Sequence, residues 1–257
     1  MTGDWLVGAA LALCIATVTT PAGVSGAVFL LPVQVSLLGV PSPAVTPTNL
    51  LYNVVATPGA LAQFAREDRL GSRLTKLLVL GTLPGVVVGA VLRVEFLSGP
   101  RTFYLVMAAV LFSLGTWLIV RRARTGPEGS EPSPGRGVIV LALAVGVVGG
   151  VYGIGGGSVL GPILVARGVS VRDAAPAGLA STFLTSVVGM AAYGLLALGA
   201  EGNIAPEWGL GVALGVGGLV GSYIGARLQL RVPESLLRRV LGLLAIGLAG
   251  NYLVVVL

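Results

Sequence analysis

The chain has 257 residues, of which 55% are hydrophobic and only 10% charged, with a mean hydropathy of +0.95. That composition excludes an ordinary soluble globular domain and places the chain among polytopic membrane proteins. The formal net charge is +6, but the basic residues sit at the ends of apolar segments, so they read as topology signals and not as a nucleic-acid surface.

There is no His and one Cys, Cys14. Disulfides, zinc sites and haem ligation are thereby excluded, and no metal or cofactor is expected. Cys14 lies in an apolar run and is expected to be a small core residue. No Lys or Arg precedes the first apolar run, which carries Asp4, so that run is expected to be a mature membrane segment and not a cleaved leader.

From Trp5 to Ala65 there is no Asp, Glu, Lys or Arg. A run of 61 residues without charge requires several membrane segments in series. The first half divides into Trp5–Val40, Ala44–Ala65, Leu77–Leu92 and Thr102–Val120. A stretch rich in Pro, Gly and charge follows, RRARTGPEGSEPSPGRG, and reads as an exposed linker over 121–137. The second half repeats the order with Val138–Ala166, Ala174–Ala200, Trp208–Ala226 and Val240–Leu257. The domain reading is therefore a first membrane repeat, 1–120, the linker, and a second repeat, 138–257.

Residues repeat as well. GVSGAVFLLP (Gly23–Pro32) lies over GIGGGSVLGP (Gly153–Pro162), and VTPTNLLYNVV (Val45–Val55) lies over AAPAGLASTFL (Ala174–Leu184). Gly81, Gly85 and Gly89 lie over Gly217, Gly221 and Gly225. The last two triplets are small-residue faces that let membrane helices approach closely.

Val138–Ala166 would be about 44 Å long as one helix, against a hydrocarbon core of about 30 Å. A hairpin turning at the glycines is the alternative, and basic-residue placement separates the two. If the first block of each half is a hairpin, Arg66, Arg69, Arg73, Lys76, Arg121, Arg122, Arg124, Arg136, Arg167, Arg172, Arg227, Arg231, Arg238 and Arg239 share one side. Only Arg93 and Arg101 take the other. Single crossings would divide the basic residues evenly. The expected fold is all-α: an inverted repeat of two halves, each a Gly-broken hairpin followed by three transmembrane helices. Both termini then lie outside and the linker lies in the cytoplasm, in the cell inner (plasma) membrane. Many secondary transporters share this plan.

Every ionisable residue falls in a loop or at a segment end. A membrane enzyme would need a nucleophile with a base, or a metal, so no catalytic site is expected. What lies at depth is neutral. Broken helices leave backbone N–H groups that lipid cannot satisfy, and helix N-termini carry partial positive charge. Together these offer an anion site without a formal cation. The candidate binding residues at the two breaks are Gly23, Ser25 and Gly26, and Gly153, Gly155, Gly156, Gly157 and Ser158. On the following segments Asn49, Asn53 and Thr57 share a helix face at i, i+4, i+8. Their counterparts are Gly178, Thr182 and Ser186, flanked by Ser181 and Thr185. Asn, Ser and Thr donate hydrogen bonds to oxyanions. Pro47 and Pro176 suit first-turn positions. Tyr52, Tyr152 and Gln34 are weaker candidates.

GIGGGSVLGPIL followed by APAGLASTFLTSVVG resembles the TauE/SafE sulfite exporter family, and the order of segments does so over essentially the whole chain. In the first half GVSGAVFLLP replaces a fuller glycine run. The resemblance implies a transporter of sulfite, sulfonates or thiosulfate. The expected function is thus a secondary transporter, an exporter working by alternating access, for a small sulfur oxyanion held at a midplane site. An anion channel of the same fold and a non-transporting membrane interaction protein are the rivals. Expected partners are the anion and the lipid bilayer, not nucleic acid. No acidic pair marks a site for a coupling H⁺ or Na⁺, although carbonyls at a break can bind Na⁺.

Overall fold

The computed structural model describes residues 2–97, 100–120, 136–167, 169–199 and 204–233, with separate positions from 235 to 252. The expected linker, except for its last two residues, and most of the last expected segment lie outside the described residues. Among the described residues every regular element is helical. The helices are α1 (Thr2–Thr19), α2 (Ala27–Pro32), α3 (Ser42–Arg66), α4 (Arg73–Glu95), α5 (Pro100–Val120), α6 (Arg136–Tyr152), α7 (Gly156–Ala166), α8 (Val171–Leu196) and α9 (Trp208–Leu228). A chain in lipid must satisfy its backbone internally, which is why the apolar segments are helices.

Among the described residues four stretches are long and apolar enough to cross a membrane: Asp4–Ala22, Arg73–Glu95, Val171–Leu196 and Trp208–Leu228. The protein is a multi-pass membrane protein. α3 matches them in length but carries Thr46, Thr48, Asn49, Asn53 and Thr57, all buried. The exposed face of α9 is apolar, with Val212, Val216 and Val220 outward. Such a face suits lipid and not water. Cys14 belongs to that kind of surface. It is exposed, contrary to the core position expected of it, because α1 buries Ala12 and Ala16 and turns the residue between them outward.

Glycine faces hold the helices together. A methyl group on Gly217 or Gly221 would stand 2.0 or 2.2 Å from the carbonyl oxygens of Ala9 and Leu13. On Gly85 or Gly89 it would stand 2.3 or 2.2 Å from those of Leu143 and Val147. α9 therefore lies backbone to backbone on α1, and α4 on α6. Contacts advance in the same sense along each pair, so each pair is parallel. α3 also runs with α9, since Leu51 and Val55 meet Gly211 and Gly215. α8 runs with α4, since Thr82 meets Ser181 and Val86 meets Gly189. α3 and α8 are antiparallel, with Leu50 against Gly189 and Phe64 in a cluster with Ala175 and Leu179. α1, α3 and α9 thus point one way, and α4, α6 and α8 the other.

Pro47 and Pro176 are not in first turns. α3 starts at Ser42 and α8 at Val171, so each proline is the sixth helical residue. The start of α8 is set one turn earlier by Ser170, whose hydroxyl accepts the N–H of Asp173 at 3.2 Å. Pro176 has no N–H to give the carbonyl four residues back, that of Arg172. Arg69 Nη2 donates to that carbonyl instead.

Candidate functional site

Both helical hairpins turn on glycine. α1 ends in a tight 3₁₀ turn at Thr20–Ala22, closed by Gly23 at φ 75°. α6 ends at Tyr152, after which Gly153 and Gly155 take φ 68° and 71°. These left-handed values are cheap only for glycine. α7 then leaves antiparallel to α8, with Gly157 so close that a methyl group would stand 1.7 Å from Gly178 O.

The two breaks touch. Ser25 N–H donates to Ser158 Oγ at 3.3 Å, and a methyl group on Gly161 would stand 3.1 Å from Gly23 O. Ser25 and Ser158 come from opposite halves of the chain and are both buried. Around them the polar faces of α3 and α8 close a hydrogen-bonded cluster. Ser25 Oγ donates to Asn53 Oδ1, and Asn53 Nδ2 donates to Gly153 O at 3.1 Å. Asn49 Nδ2 reaches Ala27 O at 3.0 Å and Tyr152 O at 3.4 Å. Each asparagine of α3 therefore ties one break to the other. On α8, Thr182 and Ser158 share a hydrogen bond at 3.1 Å. Gly156 N–H donates to Thr185 Oγ1 at 3.3 Å. Ser181 shares a hydrogen bond with Thr82 of α4 at 2.9 Å.

The structure brings together Ser25, Asn49, Asn53, Gly153, Gly156, Ser158, Ser181, Thr182 and Thr185. The other glycines expected at the site make close helix contacts. Gly23 packs on Ala175, Gly26 on the Tyr52 hydroxyl, Gly155 on Thr182 and Gly157 on Gly178. Ser186 is buried, and its hydroxyl has no hydrogen-bond partner. Thr82 and Thr46 were not singled out in the sequence. Thr46 Oγ1 donates to Val151 O at 3.1 Å, just before the second break. Their counterparts in the repeat, Ala175 and Gly218, carry no polar group, so the repeat gave no signal for them.

Charge stays outside the cluster. At one end of the bundle Arg66 donates to the Tyr223 hydroxyl at 3.0 Å. Arg69 reaches Glu67 Oε2 at 2.6 Å and Gln229 Oε1 at 2.8 Å. Gln229 Nε2 in turn donates to Pro21 O at 2.8 Å, below the first break. Burial works against the Glu67 carboxylate, but hydrogen bonds from Gln63 and Arg69 outweigh it and hold its pKa below the usual value. At the opposite end Arg93 is buried, 3% exposed, and its guanidinium turns to Leu97 O. Arg93 is in the last turn of α4, the segment end read from the sequence, but is buried there, near Tyr104, whose ring stacks on Tyr252.

A family description for sulfite exporter TauE/SafE matches residues 8–252. The chain belongs to that family. Curated proteins gave no match. The TauE/SafE match covers both hairpins, the polar faces of α3 and α8 and the glycine faces of α4 and α9 in one alignment. This TauE/SafE chain is accordingly a membrane transporter and not an enzyme.

Proposed function

We propose that the chain is a secondary carrier that exports a small sulfur oxyanion, sulfite or an organosulfonate, by alternating access. Its central site is the neutral cluster where the two breaks meet. The contact between Ser25 N–H and Ser158 Oγ carries the reading, because it puts the breaks of the two halves in one buried polar cluster. Opposed helix directions support an inverted repeat of 1–120 and 138–257. Grouping of Arg66, Arg69, Arg172 and Arg227 near Tyr223 and Gln229 supports a cytoplasmic face at that end, with the linker 121–137 on the same side and both termini outside. The membrane is then the cell inner membrane.

In this state the donors of Ser25, Asn49, Asn53 and Ser158 are engaged with protein acceptors. An arriving oxyanion exchanges with those acceptors, so binding loosens the junction between the halves. Coupling of that kind is what alternating access requires. The test is flux of labelled sulfite in proteoliposomes. Asn53→Leu and Ser158→Ala should each lower flux about tenfold, since each removes a hydrogen bond to a charged group. Unchanged flux in both folded variants would overturn the site. A side chain at Gly156 is a poorer probe, because it would meet Thr82 at 2.8 Å whether or not substrate binds.

A further inference from the structure

Gln34 is fully buried in a π-helical turn, Val33–Leu37, and its neighbours fix the orientation of its amide. Asn49 Nδ2 faces two carbonyl oxygens, those of Ala27 and Tyr152, so that end of Asn49 must be the nitrogen. Asn49 Oδ1 then faces Gln34 and accepts from its Nε2 at 2.9 Å. A flipped Gln34 would set two acceptor oxygens against each other. Gln34 Oε1 is left buried with no hydrogen-bond partner. A bare acceptor therefore stands beside the asparagine that touches both breaks.

Buried acceptors are nearly always satisfied, and π-turns gather at functional sites. A hard cation wants several oxygens at once, and the described residues hold no carboxylate cluster that would supply them. One bare oxygen suits one hydrogen-bond donor. The rest of the cluster offers an oxyanion its donors but no formal positive charge, so a second negative charge at depth would go unopposed. A proton on the substrate answers both conditions. Resting on the sulfur-oxyanion reading above, we infer that the species carried is a protonated monoanion, hydrogensulfite and not sulfite. Its O–H form donates to Gln34 Oε1.

The test is proteoliposome uptake by the full chain of labelled sulfite and of methanesulfonate, a monoanion with no proton to give. Both are measured from mildly acidic to mildly alkaline pH. Half-saturation by total sulfite should climb as the hydrogensulfite fraction falls and stay constant when expressed as hydrogensulfite. Methanesulfonate should show no such climb. Gln34→Leu should weaken sulfite about tenfold more than methanesulfonate, because loss of the Nε2 hydrogen bond to Asn49 falls on both substrates alike. Constancy in the dianion concentration overturns the inference, with or without a folded variant. Equal loss of both substrates in Gln34→Leu overturns it in favour of support for Asn49. Rescue of the variant by raised Na⁺ overturns it in favour of a cation ligand. Uptake of neither anion by the wild type fails the carrier reading itself, a result distinct from all of these.

Discussion

Gly157 shows what a single residue decides here. Its Cα faces Gly178 O so closely that any side chain must push α7 off α8. Gly157→Ala should cost about 1–3 kcal/mol, seen as a lower unfolding temperature in detergent. Asn53 acts by chemistry instead. Asn53→Ala strands Gly153 O and the Ser25 hydroxyl in a buried place, which should cost about 1–3 kcal/mol on the same measurement. The asparagines were legible in the sequence because an amide is costly in lipid and because two of them one turn apart share a face. The partners of those amides were not. The expectation was that they face an anion, and in this state they donate to carbonyls at the helix breaks. Nothing in a sequence says which of two acceptors an amide takes. Thr82 was hidden for a related reason. A lone threonine in an apolar helix most often bonds its own preceding turn, as Thr82 also does to Leu78 O.

Among the elements, the glycine triplets were the most readable feature. Spacing of four residues predicts a close helix contact, and α4 and α9 use their triplets that way. The partner helix was not predictable from spacing alone, since a small-residue face fits any backbone. α9 chooses α1 and α4 chooses α6. Gly221→Leu should separate α9 from α1 and destabilise the protein more than Val220→Leu, which faces outward. Comparing the two melting curves checks this. Helix starts were less legible. Proline at 47 and 176 looked like a first-turn signal, but capping by Ser170 and the extended Pro41 start the helices a turn earlier. The displaced proline then frees a carbonyl for Arg69. One local rule overrode another, and a contact between the loop after α3 and the first turn of α8 came out of it. Whether the first block of each half spans or doubles back was decided in sequence by charge counting, and helix directions in the structure agree with doubling back at Gly153–Gly155.

For the whole molecule, charge and neutrality are kept apart. Among the described residues most basic groups gather at one end, with Arg93 at the other, neutral donors and acceptors lie between, and apolar faces turn outward. Glu67 is one acidic member of the basic end, with Asp68 and Asp173. Its folded pKa is depressed, so its contribution to stability is present above the unfolded carboxyl range and is lost as pH falls through the folded value. Acid unfolding followed in detergent should show a step that Glu67→Gln removes. The central claim is that the meeting of two broken hairpins carries an anion by turns from one side to the other. Counterflow tests it most directly: proteoliposomes loaded with unlabelled sulfite are challenged with labelled sulfite outside. A carrier should take up label faster when loaded than when empty, and Asn53→Leu should abolish the acceleration. Uptake indifferent to internal sulfite, or no uptake by the folded wild type, would contradict it.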